Sequence, residues 1–294
     1  MELGFIGTGT MGNAMARCLI DGGHQLTVHD LRREATTNLC EMGAHWADNA
    51  KAVAEASHVV FLSLPGPAQM EAVVLDPEAG VLAGLRPGSA LGDTTTNSPK
   101  VFLQVAAACR AKGIEVLDMP VSGRPPNMTI MVGGDREVFD KHLAVLDCMG
   151  KNVFYVGASG AGCTAKLVTQ YLGYTNLIAA AEGMLIGAKA GLDLTVLAQI
   201  VPVSAGSSRA FEGFPGAVFS GNFPTTGTLD IIAKDIHLAC ELARDVQAPA
   251  RIGDIADDVL QRAQVQGLGH YGHQAVVRIL EQMAGAELRA PWPE

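Results

Sequence analysis

The stretch Gly4-Phe5-Ile6-Gly7-Thr8-Gly9-Thr10-Met11-Gly12 lies near the beginning of the chain and decides the fold of its first half. Its apolar start predicts a buried strand, and a GxGxxG pattern follows at the turn before a helix. Glycines in this pattern permit a tight turn, the close approach of backbone N–H groups to a pyrophosphate, and close packing of the helix on the strand. The stretch therefore predicts a dinucleotide-binding unit whose cofactor contacts are Gly7, Gly9, Thr10, Met11 and Gly12.

A second predicted strand, Leu26 to Asp30, ends in an acidic residue at the distance from the glycines that this unit requires. A carboxylate there accepts hydrogen bonds from the adenosine ribose and repels a 2′-phosphate, which favours NAD. Arg32 and Arg33 follow, and guanidinium groups attract a 2′-phosphate, which favours NADP. NAD is the preferred cofactor on this balance, with NADP as the alternative.

Short β-type runs alternate with helix-type stretches up to about residue 160, which predicts a parallel sheet of Rossmann type. Strands are predicted at 4–7, 26–30, 59–64, 90–93, 115–118, 129–132 and 153–156, and helices at 11–21, 33–42, 50–56, 67–74 and 99–112. The stretch from Cys163 to Ala190 lacks proline and predicts one long helix that ends at Gly191. Further helices are predicted at 194–200, 232–246, 252–266 and 274–284. The predicted fold is an α/β Rossmann-type domain, 1–160, followed by an all-α substrate and oligomerisation domain, 161–294.

The composition excludes several classes of protein. With 48% hydrophobic and 17% charged residues, the 294-residue chain is predicted to fold rather than stay disordered. A formal net charge of −9 without a long basic run disfavours nucleic-acid binding. No segment reaches the roughly 20 apolar residues of a membrane span, and the N-terminus lacks a basic signal-peptide start, so a cytoplasmic protein is expected. Six scattered cysteines without zinc-type spacing predict reduced thiols and no metal site.

Several motifs together resemble the β-hydroxyacid dehydrogenase family, which includes 3-hydroxyisobutyrate dehydrogenase and tartronate semialdehyde reductase. Gly7 to Leu19 resembles its GxGxMGxxMAxxL opening, Asp93 to Pro99 its DxSTxxP turn, and Asp118 to Gly123 its DxPVSGG substrate signature. Gly160 to Lys166 resembles the segment with the catalytic lysine, and Lys234 to Ala239 resembles the KDxxLA helix. The resemblance runs nearly from end to end. It implies a helical half similar to the C-terminal domain of 6-phosphogluconate dehydrogenase.

The resemblance implies an oxidoreductase that transfers a hydride between NAD(P) and a small β-hydroxyacid, or its semialdehyde or keto form. Lys166 is then the general acid/base, because oxidation of a hydroxyl needs a group that takes its proton and reduction needs the same group to return it. Its place at the start of an apolar helix favours the neutral amine that a base requires. On the residues alone, a surface lysine whose ammonium reaches solvent is the alternative. By the same resemblance the cofactor contacts include Leu64, Pro65, Thr96 and Lys234, and the substrate contacts are Ser122 and the backbone N–H of Gly123.

Two departures from the family pattern concern the substrate. Arg124 stands in place of the second glycine of the substrate signature, and the loop after it is shorter than the family's. Its guanidinium is a candidate clamp for a carboxylate, sulfonate or phosphonate, or else a solvent-exposed loop residue. Thr169-Gln170 replaces the Asn-Asn pair after the lysine. Gln170 keeps an amide one methylene longer, one turn beyond Lys166, and predicts a shifted or smaller substrate.

A third departure is the pair His270 and His273, which stands where family members commonly carry an acid and a serine. Two histidines without a third ligand predict a polar loop rather than a metal site.

Two other functional classes stay open on the sequence alone. Imine reductases resemble the same fold and cofactor domain, but they usually carry Asp or Tyr at the position of Lys166. Non-catalytic cofactor-binding members of the superfamily have lost the lysine and often gained extra modules. A semialdehyde reductase on the same scaffold is a further alternative. Because related proteins assemble through their helical half and complete each other's sites, a homodimer or homotetramer is expected.

Overall fold

A computed structural model describes residues 1–223, 225 and 227–293. The chain divides after Lys166 into two compact units, 1–166 and 167–294. The boundary expected from the sequence lies a few residues earlier, at 160.

One sheet of nine strands runs through residues 1–166, all of which the structure describes. The strands are β1 (Glu2–Ile6), β2 (Gln25–His29), β3 (His45–Trp46), β4 (Val59–Leu62), β5 (Ala90–Asp93), β6 (Glu115–Asp118), β7 (Val121–Ser122), β8 (Thr129–Gly134) and β9 (Asn152–Gly157). Their order is β3-β2-β1-β4-β5-β6-β8-β7, and β9 pairs with β8. From β3 to β6 every pair is parallel, which confirms the predicted Rossmann-type sheet.

The sheet edge beyond β6 differs from the parallel arrangement. β8 is antiparallel to both β6 and β7, and β9 is parallel to β8. The reason is the connection between Ser122 and Thr129, which is far too short for the crossover that a parallel strand needs. The predicted strands at 129–132 and 153–156 do extend the sheet, but in the reverse direction.

Helices cover both faces of this sheet. They are α1 (Thr10–Asp21), α2 (Thr37–Glu41), α3 (Ala50–Glu55), α4 (Pro67–Leu75), α5 (Val81–Gly84), α6 (Pro99–Ala111) and α7 (Arg136–Met149), with a 3-10 turn at Arg33–Thr36 before α2. All four residues of β4 are buried: Val59 and Phe61 point into one core, and Val60 and Leu62 into the other. A strand buried on both faces reads as a continuous apolar run, as the sequence shows.

The second unit is helical, as predicted. The long helix α8 (Ala161–Lys189) begins before the division of the chain, and α9 (Leu194–Ile200), α10 (Arg209–Glu212), α11 (Phe214–Val218), α12 (Leu229–Asp245), α13 (Arg251–Val265) and α14 (Val277–Ala284) follow, with 3-10 turns at Val201–Val203 and His273–Val276. Gly191 lies just beyond α8 at φ +85°, in the left-handed region that ends helices. In the described part of the chain, no helix has the length and apolar character that crossing a membrane requires.

Candidate cofactor and substrate site

The three glycines of the loop between β1 and α1 differ in their surroundings. Two are required by the turn and by helix packing, and the third has open space where a Cβ would lie. Gly7 makes the turn at φ +86°, and its N–H donates to the His29 carbonyl at 2.9 Å. A Cβ on Gly12 would overlap the Gly7 carbonyl oxygen and lie 3.0 Å from the Phe5 ring, so this glycine allows α1 to pack on β1. Apart from its two chain neighbours, no described residue has an atom within 4 Å of a Cβ placed on Gly9. The open position is the one where a pyrophosphate has to approach the backbone.

The first turn of α1 is suited to an anion. The helix begins at Thr10, and Gly9 is its N-cap. Gly9 has no side chain that could accept hydrogen bonds from the first N–H groups of the helix, such as those of Thr10 and Met11. Those N–H groups have no partner within the helix and lie at the positive end of its dipole. The residues present therefore fit the phosphates of a dinucleotide.

Asp30 is built into the glycine loop. One carboxylate oxygen accepts the Thr8 N–H at 2.7 Å and the other accepts the Arg32 N–H at 2.9 Å. The Thr8 hydroxyl also donates to the first oxygen, at 3.4 Å. Because a carboxylate oxygen has two lone pairs, the oxygen that accepts the Arg32 N–H retains capacity for a ribose hydroxyl. The Arg33 guanidinium lies 5.4 Å from the centre of the Trp46 ring on the neighbouring strand. Asp30, which favours NAD, and the two arginines, which favour NADP, thus lie at the same end of β2.

The segments that carry Leu64, Pro65 and Thr96 follow the neighbouring parallel strands β4 and β5. The Leu64 N–H donates to the Thr95 hydroxyl at 3.1 Å, which ties the two segments together. β1 lies between β2 and β4, so the strand order reverses beside the glycine loop. Ligands of open α/β sheets bind at such a switch point, outside the carboxyl ends of the strands.

Two buried carboxylates, Asp93 and Asp118, end the adjacent strands β5 and β6 in register with each other. Neither side chain is exposed. Burial raises the pKa of Asp93 to about 6, and burial also raises the pKa of Asp118. Asn97 donates to Asp93 at 3.1 Å, and the N–H groups of Gly160 and Cys163 donate to Asp118 at 2.9 and 2.8 Å. The sequence analysis assigned no role to either acid. Acids at the ends of two adjacent parallel strands are nevertheless a pattern that can be recognised in a sequence.

The predicted substrate residues lie on the hairpin between β7 and β8. Ser122 pairs with Thr129, and Gly123 turns the chain at φ +82°. Ser122, Gly123 and Arg124 are all exposed. Lys166, in contrast, is only 7% exposed and lies in the second turn of α8. Within this unit, the residues of the predicted substrate hairpin are thus exposed, whereas the Lys166 side chain is buried.

In the second unit, Gln170 and Lys234 share one partner. Gln170 Nε2 donates to Asp235 at 2.6 Å and to the Tyr174 hydroxyl at 2.7 Å, and Lys234 Nζ donates to the other Asp235 oxygen at 2.7 Å. Asp235 is almost completely buried, and burial raises the pKa of Tyr174. Sequence reasoning named Gln170 and Lys234 separately and missed Asp235 and Tyr174.

The two histidines of the C-terminal loop contact aromatic rings. The His273 ring lies edge-on to Tyr174, with centroids 6.3 Å apart, and His270 lies 4.3 Å from its neighbour Tyr271. Burial lowers the pKa of His273.

Comparison with known proteins agrees with these features. Residues 2–157 match the NAD binding domain of 6-phosphogluconate dehydrogenase, and residues 160–280 match the NAD-binding domain of NADP-dependent 3-hydroxyisobutyrate dehydrogenase. The 2-(hydroxymethyl)glutarate dehydrogenase of Eubacterium barkeri is 33% identical over 98% of this chain and 97% of its own. The crystal structure of 3-hydroxyisobutyrate dehydrogenase from Salmonella typhimurium has a TM-score of 0.86 and 31% identity, and the match covers 95% of this chain and 99% of that one.

An imine reductase from Pseudomonas sp. has a TM-score of 0.60 at 19% identity, a likeness that shows the shared fold alone. The expectation drawn from the sequence motifs is therefore confirmed at the level of the family. The chain belongs to the β-hydroxyacid dehydrogenase family and is an NAD(P)-dependent oxidoreductase that acts on the CH–OH group of hydroxyacids.

Proposed function

We propose that this enzyme oxidises a small β-hydroxyacid with Lys166 as the general base, and reduces the semialdehyde or keto product with Lys166 as the general acid. The observation that carries the proposal is the burial of this lysine, 7% exposed, in a helix that begins at the carboxyl edge of the sheet. A bound nicotinamide dinucleotide supplies the hydride acceptor or donor. Lys166 Nζ takes the hydroxyl proton as the hydride leaves the carbon, and returns it in the reverse direction.

The substrate carboxylate is assigned to Ser122 and the Gly123 N–H, which are exposed at the hairpin turn. A hydroxyl and an amide both donate to a carboxylate. Arg124 follows directly and is assigned to a second acidic group, since a guanidinium binds a carboxylate through two parallel hydrogen bonds. The glutarate named for the Eubacterium barkeri relative is a dicarboxylic acid, which supports this assignment.

The cofactor is assigned to Gly7, Gly9, Thr10, Met11 and Gly12 with Asp30, Leu64, Pro65, Thr96 and Lys234. NAD is preferred over NADP because the Asp30 carboxylate, fixed by two backbone N–H groups, repels a 2′-phosphate. Gln170 is assigned to the substrate. An ionised Asp235 has only acceptor oxygens, so the amide nitrogen of Gln170 faces that acid and its orientation is fixed.

The proposal includes assembly and location. A cytoplasmic protein is supported by the six cysteines, all of which are free thiols, as a reducing compartment requires. A homodimer or homotetramer is supported by exposed apolar side chains on α8, among them Leu172 and Ile186 at 55% and 70% exposure. Light scattering at several protein concentrations tests the assembly.

The reaction is tested with initial rates of nicotinamide reduction for a panel of β-hydroxyacids, each with NAD and with NADP. The panel includes 3-hydroxyisobutyrate, serine, glycerate, a 2-(hydroxymethyl) diacid and a sulfonate analogue. Lys166→Ala is expected to keep cofactor affinity and to lose several orders of magnitude in turnover. Lys189→Ala, which removes an exposed lysine at the other end of the same helix, is the matched control. Substantial turnover by Lys166→Ala would refute the assignment, and turnover of imines instead of hydroxyacids would favour the second enzyme class.

A further inference from the structure

The Asp118 carboxylate connects the sheet to the first turn of the helix that carries Lys166. It is the last residue of β6, and none of its side chain is exposed. Its Oδ1 accepts the Gly160 N–H at 2.9 Å and its Oδ2 accepts the Cys163 N–H at 2.8 Å. The two oxygens therefore bind the residue just before α8 and the third residue of that helix.

Backbone segments pack closely against this carboxylate. A Cβ on Gly133 would lie 2.6 Å from Asp118 Oδ1 and 2.7 Å from the Gly162 nitrogen. A Cβ on Gly162 would lie 2.6 Å from the Asp118 carbonyl oxygen. Three backbone segments thus meet at glycines around one side chain, so the start of α8 cannot move without breaking its bonds to Asp118.

The same acid is close in the chain to the substrate hairpin. Ser122 follows it by four residues, and Lys166 follows Cys163 by three, which is less than one turn and about 4.5 Å along the helix axis. A residue that fixes the first turn of α8 therefore fixes the backbone of Lys166, and does so from the strand that leads to Ser122.

We propose that Asp118 is a positioning residue, which sets the place of Lys166 relative to Ser122 and Gly123 through the backbone of Gly160 and Cys163. The inference rests on the proposed function of Lys166. Asp118 acts through the helix and does not contact the substrate.

A carboxylate is required because it supplies two acceptor oxygens, whereas an amide of the same size supplies one acceptor and one donor group. In Asp118→Asn, the amide nitrogen has to face one of the two N–H groups, so one bond is lost and the helix start shifts. The negative charge also lies at the positive end of the α8 dipole.

The test uses Asp118→Asn in the full chain. Turnover is expected to fall ten- to a hundredfold, since a displacement of about 1 Å at a reacting group costs on the order of a hundredfold in rate. The dissociation constant for NAD is expected to stay within about twofold, because the glycine loop is not altered. Asp135→Asn is the control: this acid caps α7 by the same kind of bond, to the Glu137 N–H at 2.9 Å, and its variant is expected to keep wild-type turnover. If Asp118→Asn does not fold, Asp118→Ser replaces it, because its hydroxyl is smaller and still accepts a hydrogen bond.

A double-mutant cycle with Lys166→Ala separates positioning from a general structural effect. If Asp118 acts through the lysine, Asp118→Asn has no further effect on the residual rate of Lys166→Ala. In an otherwise unchanged chain, Asp118→Asn shifts the acidic limb of the pH–rate profile for hydroxyacid oxidation, which reports deprotonation of the general base. An equal loss in both backgrounds, or unchanged turnover with only a lower melting temperature, would overturn the inference. If Lys166→Ala itself keeps its turnover, the proposed function fails first, so the two failures are distinguishable.

Discussion

The open space beside Gly9 predicts that Gly9→Ala weakens NAD binding without destabilising the fold. Gly9 has φ −65° and ψ −167°, which an L-residue adopts without strain, and its new methyl would meet no atom of the described residues within 4 Å other than those of its chain neighbours. The folded chain should therefore accept alanine, and a stability gain of about 0.4–1 kcal/mol follows from the smaller entropy of the unfolded chain. The methyl group takes the space through which a pyrophosphate reaches the backbone. Loss of one hydrogen bond to a charged group costs about 1.5–3 kcal/mol, so the dissociation constant for NAD should rise by about ten- to a hundredfold.

Gly12→Ala is the matched variant, because it adds the same methyl group to the same loop at a position with no room. Its Cβ would overlap the Gly7 carbonyl oxygen and crowd the Phe5 ring, so a loss of roughly 1–3 kcal/mol in unfolding free energy is expected from overpacking. Thermal and urea unfolding measure stability, and calorimetric titration with NAD measures affinity. The two variants should separate: Gly9→Ala keeps its stability and loses affinity, whereas Gly12→Ala loses stability.

Wild-type NAD affinity in Gly9→Ala would refute this reasoning, because the open position would then not be the place where the pyrophosphate approaches. A stability loss equal to that of Gly12→Ala would refute the assignment of separate roles to the two glycines.

Three further predictions concern the cofactor, the substrate and stability. Arg124→Ala should raise KM for dicarboxylic hydroxyacids at least tenfold and leave KM for monocarboxylic ones unchanged; equal KM values for every accepted acid would exclude the clamp. Asp30→Asn should raise the NADP to NAD ratio of kcat/KM, because repulsion of the 2′-phosphate is removed, and an unchanged ratio would place the discrimination elsewhere. Burial holds the proton on Asp93, whose folded-state pKa of about 6 lies above its ordinary value of 3.8. The folded state thus binds more protons than the unfolded state between these values, so stability should fall by up to about 3 kcal/mol as pH rises through this window. Urea unfolding from pH 4 to 7 should show this fall in the wild type and a flatter curve in Asp93→Asn, and parallel curves would contradict it.

Much of the fold could be predicted because local patterns determine it. The apolar run before Gly7 and the glycines after it fixed the first strand and helix, and the long stretch without proline up to Lys189 fixed α8. Pro67 and Pro99 each begin a helix, where a missing N–H costs nothing. These signals act within a few residues, so tertiary packing does not have to be known.

Other features of the fold were not predicted from the sequence. The helix Arg136–Met149 was not predicted, although Asp135 caps it and Phe139, Leu146 and Met149 are buried along it. The direction of β8 was not predicted either, because alternation along a strand carries no direction. The short link between Ser122 and Thr129 contained the missing information, since it excludes a crossover.

The partners of the site residues were beyond sequence reasoning for a different reason. Gln170 and Asp235 lie 65 positions apart, and Asp118 and Cys163 lie 45 apart. Such pairs depend on how whole elements pack, and no periodicity within one element reports them. The family resemblance named Gln170 and Lys234 but gave no reason for their common orientation, which the shared acid now provides.

In each unit one buried carboxylate binds groups that position a proposed functional side chain, and the two carboxylates do so by different means. Asp118 accepts the N–H groups of Gly160 and Cys163 at the start of α8 and so controls the position of a helix. Asp235 binds the side chains of Lys234 and Gln170 and so controls the direction of an ammonium and an amide. Burying a carboxylate without donors is costly, so each acid depends on the hydrogen-bond donors around it. Gln170 is longer than the family's asparagine, but its amide nitrogen is not free to reach further because it is bound to Asp235. Only the remainder of that side chain is therefore left to contact a different substrate.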